Sequence, residues 1–349
     1  MKKLGFITFL LFSIATVLSS CTTSDSTGNK TVLNIYNWGD YIDEDVIKGF
    51  ENKYGIKVNY DTFATNEDMY VKIKSGGSNY DVIFPSDYMI EKMINENLLQ
   101  KIDLNNISNY DLIDSQFKNL DYDPNNEYSV PYMWGTVGIL YNKTMVDEPI
   151  DSWDILWDKK YAKQIFMLDS QRDSIGVALK KLGFSFNTRE VSELEQAKQA
   201  LIEQRPLVLA YVGDEVKDKM IGEEAAFAVV WSGDAVYCKR ENPNLEYVIP
   251  KEGSNFWFDA MAIPSSAKNK EEAEMFINYL CETDIAFANT NYIGYSTPHI
   301  AAKEMLEEDI LYDRAAYPLE EDIAHCEIFK DLGGFVKEYD RIWTEIMAQ

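Results

Sequence analysis

Apolar and polar residues change from a strand-like to a helix-like period several times after residue 30, and this pattern predicts a βαβαβ unit. Segment 43–55 carries apolar residues at helical spacing and ends at Gly55, a residue that often terminates helices. The other segments of the unit are the predicted strands 31–38, 56–63 and 80–85 and the predicted helix 66–76. Ligands of such sheets bind beyond the carboxyl ends of the strands, which here are the segments 37–41 and 85–88.

A similar pattern recurs in the second half of the chain. It comprises the predicted strands 163–168, 207–212 and 225–231 and the predicted helix 174–184. Segments 245–250 and 256–264 flank the turn KEGS and are predicted to be adjacent strands. The fold class is therefore α/β, with two lobes that each present aromatic and acidic residues at strand ends.

The N-terminus has the pattern of a secretory signal. Two lysines precede a 15-residue apolar run, which is short for a membrane span. The run ends in LSSC, which predicts a signal peptide over 1–20 and lipidation at Cys21; a plain signal peptide with an incidental cysteine is the alternative. Segment 21–30 is small and polar, as expected of a flexible tether.

Charge and motif content narrow the possible functions. The formal net charge is -25, which disfavours nucleic acid and favours a small cation as the partner. The chain has only two histidines and lacks the usual signatures of nucleophilic, metal and nucleotide sites. We therefore expect no enzyme activity, no cofactor and no metal.

Tryptophan and tyrosine residues stand beside acids at several predicted strand ends. Aromatic faces attract ammonium groups and cover methylene chains, and carboxylates bind ammonium groups by charge-assisted hydrogen bonds. Taken singly, Asp40, Asp173 and Asp234 could cap helices, and Trp231 and Trp257 could belong to the core. Their repetition at the same end of many strands favours a binding site.

Several long motifs, in order, resemble the substrate-binding proteins of spermidine/putrescine ABC transporters from about residue 31 to 345. They are YNWGDYI, FPSDY, PYMWGT, WDILWDKKYAKQ, ALKKLGF, VWSGDA, PKEGSNFWFDAMAIP and IGYSTPH. The resemblance implies a two-lobed periplasmic-binding-protein-like fold of type II, with the ligand in the interdomain cleft. It implies lobe 1 over 31–137 and 258–304, and lobe 2 over 138–257 and 305–349.

The resemblance also implies the ligand, the partners and the binding residues. The ligand would be putrescine and/or spermidine, and the partners a cognate ABC permease and its ATPase. The protein would be a monomer, lipid-anchored on the outer face of the bacterial cytoplasmic membrane. The implied ligand-binding residues are Trp38, Asp40, Tyr41, Ser86, Tyr88, Asp173, Trp231, Asp234, Trp257, Asp259 and Tyr295.

Asp259 is the most informative of these residues, because it interrupts an apolar strand and an unpaired buried charge is costly. The resemblance implies that it faces the cleft and pairs with an ammonium group. Ser170 and Phe329 differ from the acid and the glutamine of spermidine-preferring relatives, whereas Asp40 and Asp234 match putrescine-preferring ones and Tyr88 matches the spermidine type.

Two other functions use similar residues. A secreted glycoside hydrolase also combines Trp platforms with paired carboxylates. A sugar- or metal-binding protein of the same architecture is a third candidate, although the scarcity of His and Cys argues against transition metals.

Overall fold

A computed structural model describes residues 31–349 apart from Ser78. The predicted signal peptide, Cys21 and the tether lie outside the described residues. Among the helices that are described, none is both long enough and apolar enough to cross a membrane.

Nine strands within the described residues form one sheet. They are β1 Val32–Trp38, β2 Lys57–Phe63, β3 Val82–Ile83, β4 Ser129–Asn142, β5 Ile165–Leu168, β6 Val208–Val212, β7 Phe227–Trp231, β8 Leu245–Val248 and β9 Phe256–Ala262. The strand order is β2-β1-β3-β9-β4-β7-β5-β6, and β8 pairs with β4.

Helices cover this sheet and begin and end where local chemistry favours it. The α-helices are α1 Glu44–Tyr54, α2 Asn66–Lys74, α3 Asp87–Asn95, α4 Gln171–Lys181, α5 Val191–Gln204, α6 Val216–Ile221, α7 Ser232–Glu241, α8 Lys270–Leu280, α9 Thr283–Ile293, α10 Ile300–Glu304, α11 Glu308–Leu311, α12 Glu320–Ile323 and α13 Val336–Met347. Short 3₁₀ helices lie at Leu104–Asn106, Ser108–Leu112, Ser115–Phe117, Trp153–Trp157, Lys159–Tyr161 and Gly333–Phe335. The Asp43 side chain caps α1 at the Asp45 N–H, and Gly55 ends it with a φ of 69°.

Two parallel groups of strands form the two ends of the sheet. In the first, β1 pairs in parallel with β2 and β3, and in the second, β5 pairs in parallel with β6 and β7. Both groups follow the predicted alternation of strand and helix, so the predicted α/β class is confirmed. The carboxyl ends of β1, β5 and β7 lead into the segments that contain Asp40, Asp173 and Asp234.

The long strand β4 joins the two groups and was missed by the sequence analysis. Residues 129–136 pair with β9, and residues 137–142 pair with β7 and β8. The prediction that 245–250 and 256–264 are adjacent strands is wrong, because β8 and β9 pair with successive parts of β4 rather than with each other. The predicted lobe boundary at 137/138 lies one residue after this change of partner, and the boundaries themselves stay a prediction.

The core consists of apolar clusters on both sides of the sheet. Leu33, Ile35 and Ile83 are fully buried in the cluster around β1 and β3. A separate cluster joins α4, α5 and α13 through fully buried side chains that include Leu179 and Ile342. This packing fixes the strands whose ends carry the predicted site residues.

Candidate functional site

Asp259 lies in the middle of β9 and is 6% exposed. Its Oδ2 accepts a hydrogen bond of 2.9 Å from the Tyr41 hydroxyl, and Ser86 forms a β-bridge with it. Its Oδ1 has no hydrogen-bond partner among the residues that the structure describes. Burial raises the pKa of Asp259 to about 7, against the lowering effect of the Ser86 and Tyr41 hydroxyls. The strand pattern around Asp259 thus buries a carboxylate that keeps one free oxygen.

Three aromatic rings in mutual contact lie on the side of this carboxylate where Tyr41 binds it. The ring of Tyr295 lies edge-on to Tyr41, at 5.5 Å between centroids, and to Trp257, at 5.3 Å. Small residues make room for the rings, since a Cβ at Gly233 would lie 2.2 Å from the Tyr295 ring and one at Gly135 would lie 2.6 Å from the Trp257 ring. The indole N–H of Trp257 is buried without a hydrogen-bond partner among the described residues. These rings form an aromatic wall next to Asp259.

Asn66 ties the segment after β3 to helix α2. Its side-chain amide donates to the Ser86 Oγ at 3.0 Å and to the Tyr88 hydroxyl at 3.2 Å. The Tyr88 hydroxyl in turn donates to Glu67 at 3.1 Å. The Trp38 indole N–H donates to the Phe84 carbonyl oxygen at 2.8 Å, two residues before Ser86. The ends of β1 and β3 therefore lie together, as predicted.

Asp234 lies in the first turn of α7, directly after β7, and is 5% exposed. Burial raises its pKa to about 7, whereas Lys217 lowers it. The Tyr295 hydroxyl also lowers this pKa, and the Asp234 Oδ2 has no hydrogen-bond partner among the described residues. Asp234 therefore reaches the aromatic wall through Tyr295. The helix N-cap position belongs to Trp231, not to Asp234.

Asp173 lies in the first turn of α4 and is 6% exposed. Ser170, at the N-cap position, donates to its Oδ2 at 2.7 Å, and Asn255 donates to its Oδ1 at 3.2 Å. Burial raises the pKa of this carboxyl as well. Asn255 precedes β9 by one residue, so Asp173 is connected to the strand that carries Trp257 and Asp259.

Asp40 differs from the other acids because it is exposed. It has a φ of 50° in the turn after β1, and its carboxylate lies 3.5 Å from the Lys217 ammonium. The cap of α1 is Asp43 rather than Asp40. Trp231, at the end of β7, is half-buried and packs with Trp257 and Tyr295 in one apolar cluster.

The carboxylates of Asp173, Asp234 and Asp259 form no ion pair with a basic side chain of the described residues. Within residues 31–349, no nitrogen of a basic side chain lies within 4.0 Å of any of these three carboxylates. Three buried acids among aromatic rings, two of them with a free oxygen, can bind a compact cation through charge-assisted hydrogen bonds.

Three residues of this region were missed as site residues by the sequence analysis. They are Asn66, Lys217 and Arg172. The Arg172 guanidinium stacks on Phe329 at 4.3 Å and lies 5.5 Å from the Tyr88 ring. Charged residues on short helices usually face solvent, so no sequence signal separates Lys217 from its neighbours.

A family model and similar proteins of known name both point to solute-binding proteins. The family model of bacterial extracellular solute-binding proteins matches residues 45–313. The spermidine/putrescine-binding periplasmic protein of Salmonella typhimurium is 35% identical over 350 residues, which cover 100% of this chain and 99% of that protein.

Solved structures give the same result. The spermidine/putrescine ABC transporter substrate-binding protein PotD from Streptococcus pneumoniae is 42% identical, with a TM-score of 0.80 over 91% of this chain and 99% of that chain. The TpPotD lipoprotein of Treponema pallidum is 29% identical, also with a TM-score of 0.80, over 90% of this chain and 99% of that chain. The alternative of a glycoside hydrolase does not agree with these matches, which are to solute-binding proteins and confirm the two-lobed fold class. The chain belongs to the family of bacterial extracellular solute-binding proteins.

Proposed function

We propose that this protein captures a linear polyamine, putrescine and/or spermidine, outside the cytoplasmic membrane and delivers it to an ABC permease driven by an ATPase. The observation that carries the proposal is Asp259, a buried carboxylate with one free oxygen beside an aromatic wall. The names of the relatives support it, since those of the Salmonella and Streptococcus proteins both include spermidine and putrescine.

The geometry suits an alkyl chain that ends in ammonium groups. One ammonium would donate to the free Oδ1 of Asp259 and another to Asp173 or Asp234, while methylene groups lie against Trp257 and Tyr295. A bound cation favours the ionised form of these buried carboxyls and offsets the cost of their desolvation. A neutral ligand of the same length would make the apolar contacts but would not gain the attraction between ammonium groups and carboxylates.

A matched pair of ligands tests the proposal. Putrescine and butane-1,4-diol have the same carbon chain, but only putrescine carries charges. We expect isothermal calorimetry and thermal unfolding to show binding of putrescine or spermidine and none of the diol, maltose or calcium. Binding of maltose or calcium alone would show that the polyamine proposal is wrong.

We further propose that the two lobes have the boundaries predicted from the sequence and that they close around the ligand. The change of strand partners in the middle of β4 supports a hinge there. Contacts already connect residues of both predicted lobes, for example the Asp331 N–H, which donates to Glu91 at 2.7 Å. Small-angle scattering should show a smaller radius of gyration when the ligand saturates the protein. An unchanged profile at saturation would argue against closure.

Lipid anchoring at Cys21 is the last part of the proposal. The LSSC motif supports it, and one relative is named a lipoprotein. A Cys21→Ala variant should leave the protein as an uncleaved precursor or release it into the medium. If that variant stays on the membrane at the processed size, the anchor is elsewhere. Size-exclusion chromatography of residues 31–349 tests the expected monomer.

A further inference from the structure

A lysine lies near the acidic site, which comprises Asp40, Asp173, Asp234 and Asp259 together with the aromatic wall. Lys217 lies on α6, shortly after the end of β6, and its ammonium is 3.5 Å from the Asp40 carboxylate that follows β1. The Lys217 side chain is 21% exposed, whereas that of Asp40 is 75% exposed. Most of the Lys217 side chain is therefore covered by the protein, and its ammonium lies beside one of the predicted site residues.

Three carboxylates act electrostatically on this ammonium, and one of them, Asp40, forms an ion pair with it. Burial lowers the pKa of Lys217, but Asp234, Asp40 and Asp214 outweigh it and hold the pKa above its ordinary value. Asp214 also lies close to the segment after β1, since its Oδ2 would be 3.6 Å from a Cβ at Gly39. Asp234 is the buried member of the group and keeps Oδ2 without a partner among the described residues.

Arg172, at the other side of the site, has a different set of contacts. Its guanidinium donates to the carbonyl oxygen of Lys330 at 3.5 Å and to Asn187 at 3.2 Å, and it stacks on Phe329. Lys217 forms no comparable hydrogen bonds to backbone or amide groups through its ammonium among the described residues, and its one ion pair there is with Asp40. Lys217 thus places a positive charge where the proposed ligand also needs carboxylates.

We infer that Lys217 is a specificity-determining residue that fills one ammonium position of the acidic site and thereby disfavours ligands with a third positive charge. This inference rests on the proposed polyamine function. With Lys217 present, its ammonium pairs with Asp40 and already offsets part of the negative charge of Asp214 and Asp234, and an additional charge of the ligand is repelled by it. Without Lys217, the same carboxylates would be available to the third charge of a longer amine.

The test compares two lysines of the same helix. Lys217→Met keeps the methylene chain and removes the charge, while Lys219→Met removes a charge whose partner is Glu224 at 3.4 Å, away from the site. Calorimetry with putrescine and spermidine should show that Lys217→Met strengthens spermidine binding by about tenfold or more and putrescine binding by a smaller factor. Lys219→Met should leave both affinities within about twofold, as expected of an exposed ion pair.

Further measurements keep the result interpretable. Lys217→Gln serves if Lys217→Met does not fold, and Lys217→Arg, which keeps the charge, should retain the wild-type preference. Equal gains for both amines, no gain, or weaker spermidine binding would overturn the inference while leaving the proposed function intact. A wild-type protein that binds neither amine would instead overturn the proposed function, and the inference with it.

Discussion

Two buried aspartates beside the same strand have opposite surroundings. Asp123, in the loop before β4, is 3% exposed, and Asp259, opposite Met133 of β4, is 6% exposed. Asp123 accepts hydrogen bonds from the N–H groups of Glu127, Tyr128 and Ser129 at 2.9 to 3.1 Å and from the Ser129 hydroxyl at 2.8 Å. Asp259 accepts one from Tyr41, and its Oδ1 has no partner among the described residues.

This difference separates a structural acid from a binding acid. The N–H groups of residues 127–129 converge on Asp123 only in the folded loop, so they compensate the desolvation of its carboxylate and fix the loop. At Asp259 the side-chain hydrogen bonds compensate less of the desolvation cost, and Oδ1 can still accept a hydrogen bond from a ligand. Burial alone therefore does not identify the site, whereas the unused oxygen does.

The largest expected effect is on ligand binding by Asp259→Asn. The variant keeps the shape but loses the charge, and losing one partner of a buried charge pair costs about 2 to 5 kcal/mol of binding free energy. The free energy of unfolding without ligand should stay the same or rise, because a neutral amide is less costly to bury. Putrescine titration beside denaturant unfolding measures both. Affinity within twofold of the wild type would falsify the assignment of Asp259 as the anchor.

Asp123→Asn should show the reverse pattern. An amide group cannot accept all four hydrogen bonds, so backbone N–H groups of the loop would lose their partner. We expect the free energy of unfolding to fall by about 2 to 4 kcal/mol, with polyamine affinity of the folded protein unchanged. Urea unfolding followed by fluorescence, together with calorimetry at a temperature where the variant is folded, provides the measurement. A stable variant with weak binding would place Asp123 in the binding site instead.

The pH dependence of the ligand-free protein should reflect the binding acids. Burial raises the pKa of Asp234 and Asp259 to about 7, above the ordinary value of 3.8. Their stabilising effect is therefore complete below about pH 4 and is lost as the pH rises towards 7, at up to about 1.4 kcal/mol per pH unit for each group.

Polyamine affinity should change with pH in the opposite direction to the stability of the ligand-free protein. The ligand needs ionised carboxylates, so affinity should rise between pH 5 and pH 7 and level off above it. Unfolding and calorimetry from pH 4 to 8 test both trends, and Asp259→Asn should make each slope smaller, since only Asp234 of the two acids then titrates. Slopes that are the same in the variant would show that other groups titrate.

The sequence predicted the strands and the acids at their ends better than it predicted the partners of these acids. Strands β1 and β2 and helix α1 follow from local periodicity and caps, and the structure confirms them within a residue or two. Strand β4 was missed because it is buried on nearly its whole length and therefore lacks alternation. Strands β8 and β9 each pair with β4, which was not predicted. The turn between them therefore suggested a hairpin that the structure does not contain.

The site residues also differ in how well they could be predicted. Tyr41, Asp259 and Tyr295 come from distant segments and lie together in the structure, and each belongs to one of the long family motifs. Lys217 and Asn66 carry no such motif, and their proximity to the site depends on how α6 and α2 pack. Periodicity can assign a residue to an element and a face, but distances between separate elements are set by tertiary packing.

The smallest expected effect is that of Tyr41→Phe, which asks how much the one hydrogen bond at Asp259 contributes. Loss of the hydroxyl leaves the ring in place against Tyr132 and Tyr295 and raises the pKa of Asp259 further above its usual value. We expect putrescine affinity near neutral pH to fall by about 1 kcal/mol, the usual contribution of a single hydrogen bond, and less at pH 8.5.

Tyr132→Phe is the matched control for this variant. The Tyr132 hydroxyl donates to the Tyr41 carbonyl oxygen at 2.7 Å rather than to Asp259, so its loss should lower the free energy of unfolding and leave affinity nearly unchanged. Calorimetry of both variants at pH 6.5 and 8.5 separates the two roles. If the two variants lose the same affinity at both pH values, the tyrosines act only by packing, and the contrast between Asp123 and Asp259 would rest on the free Oδ1 alone.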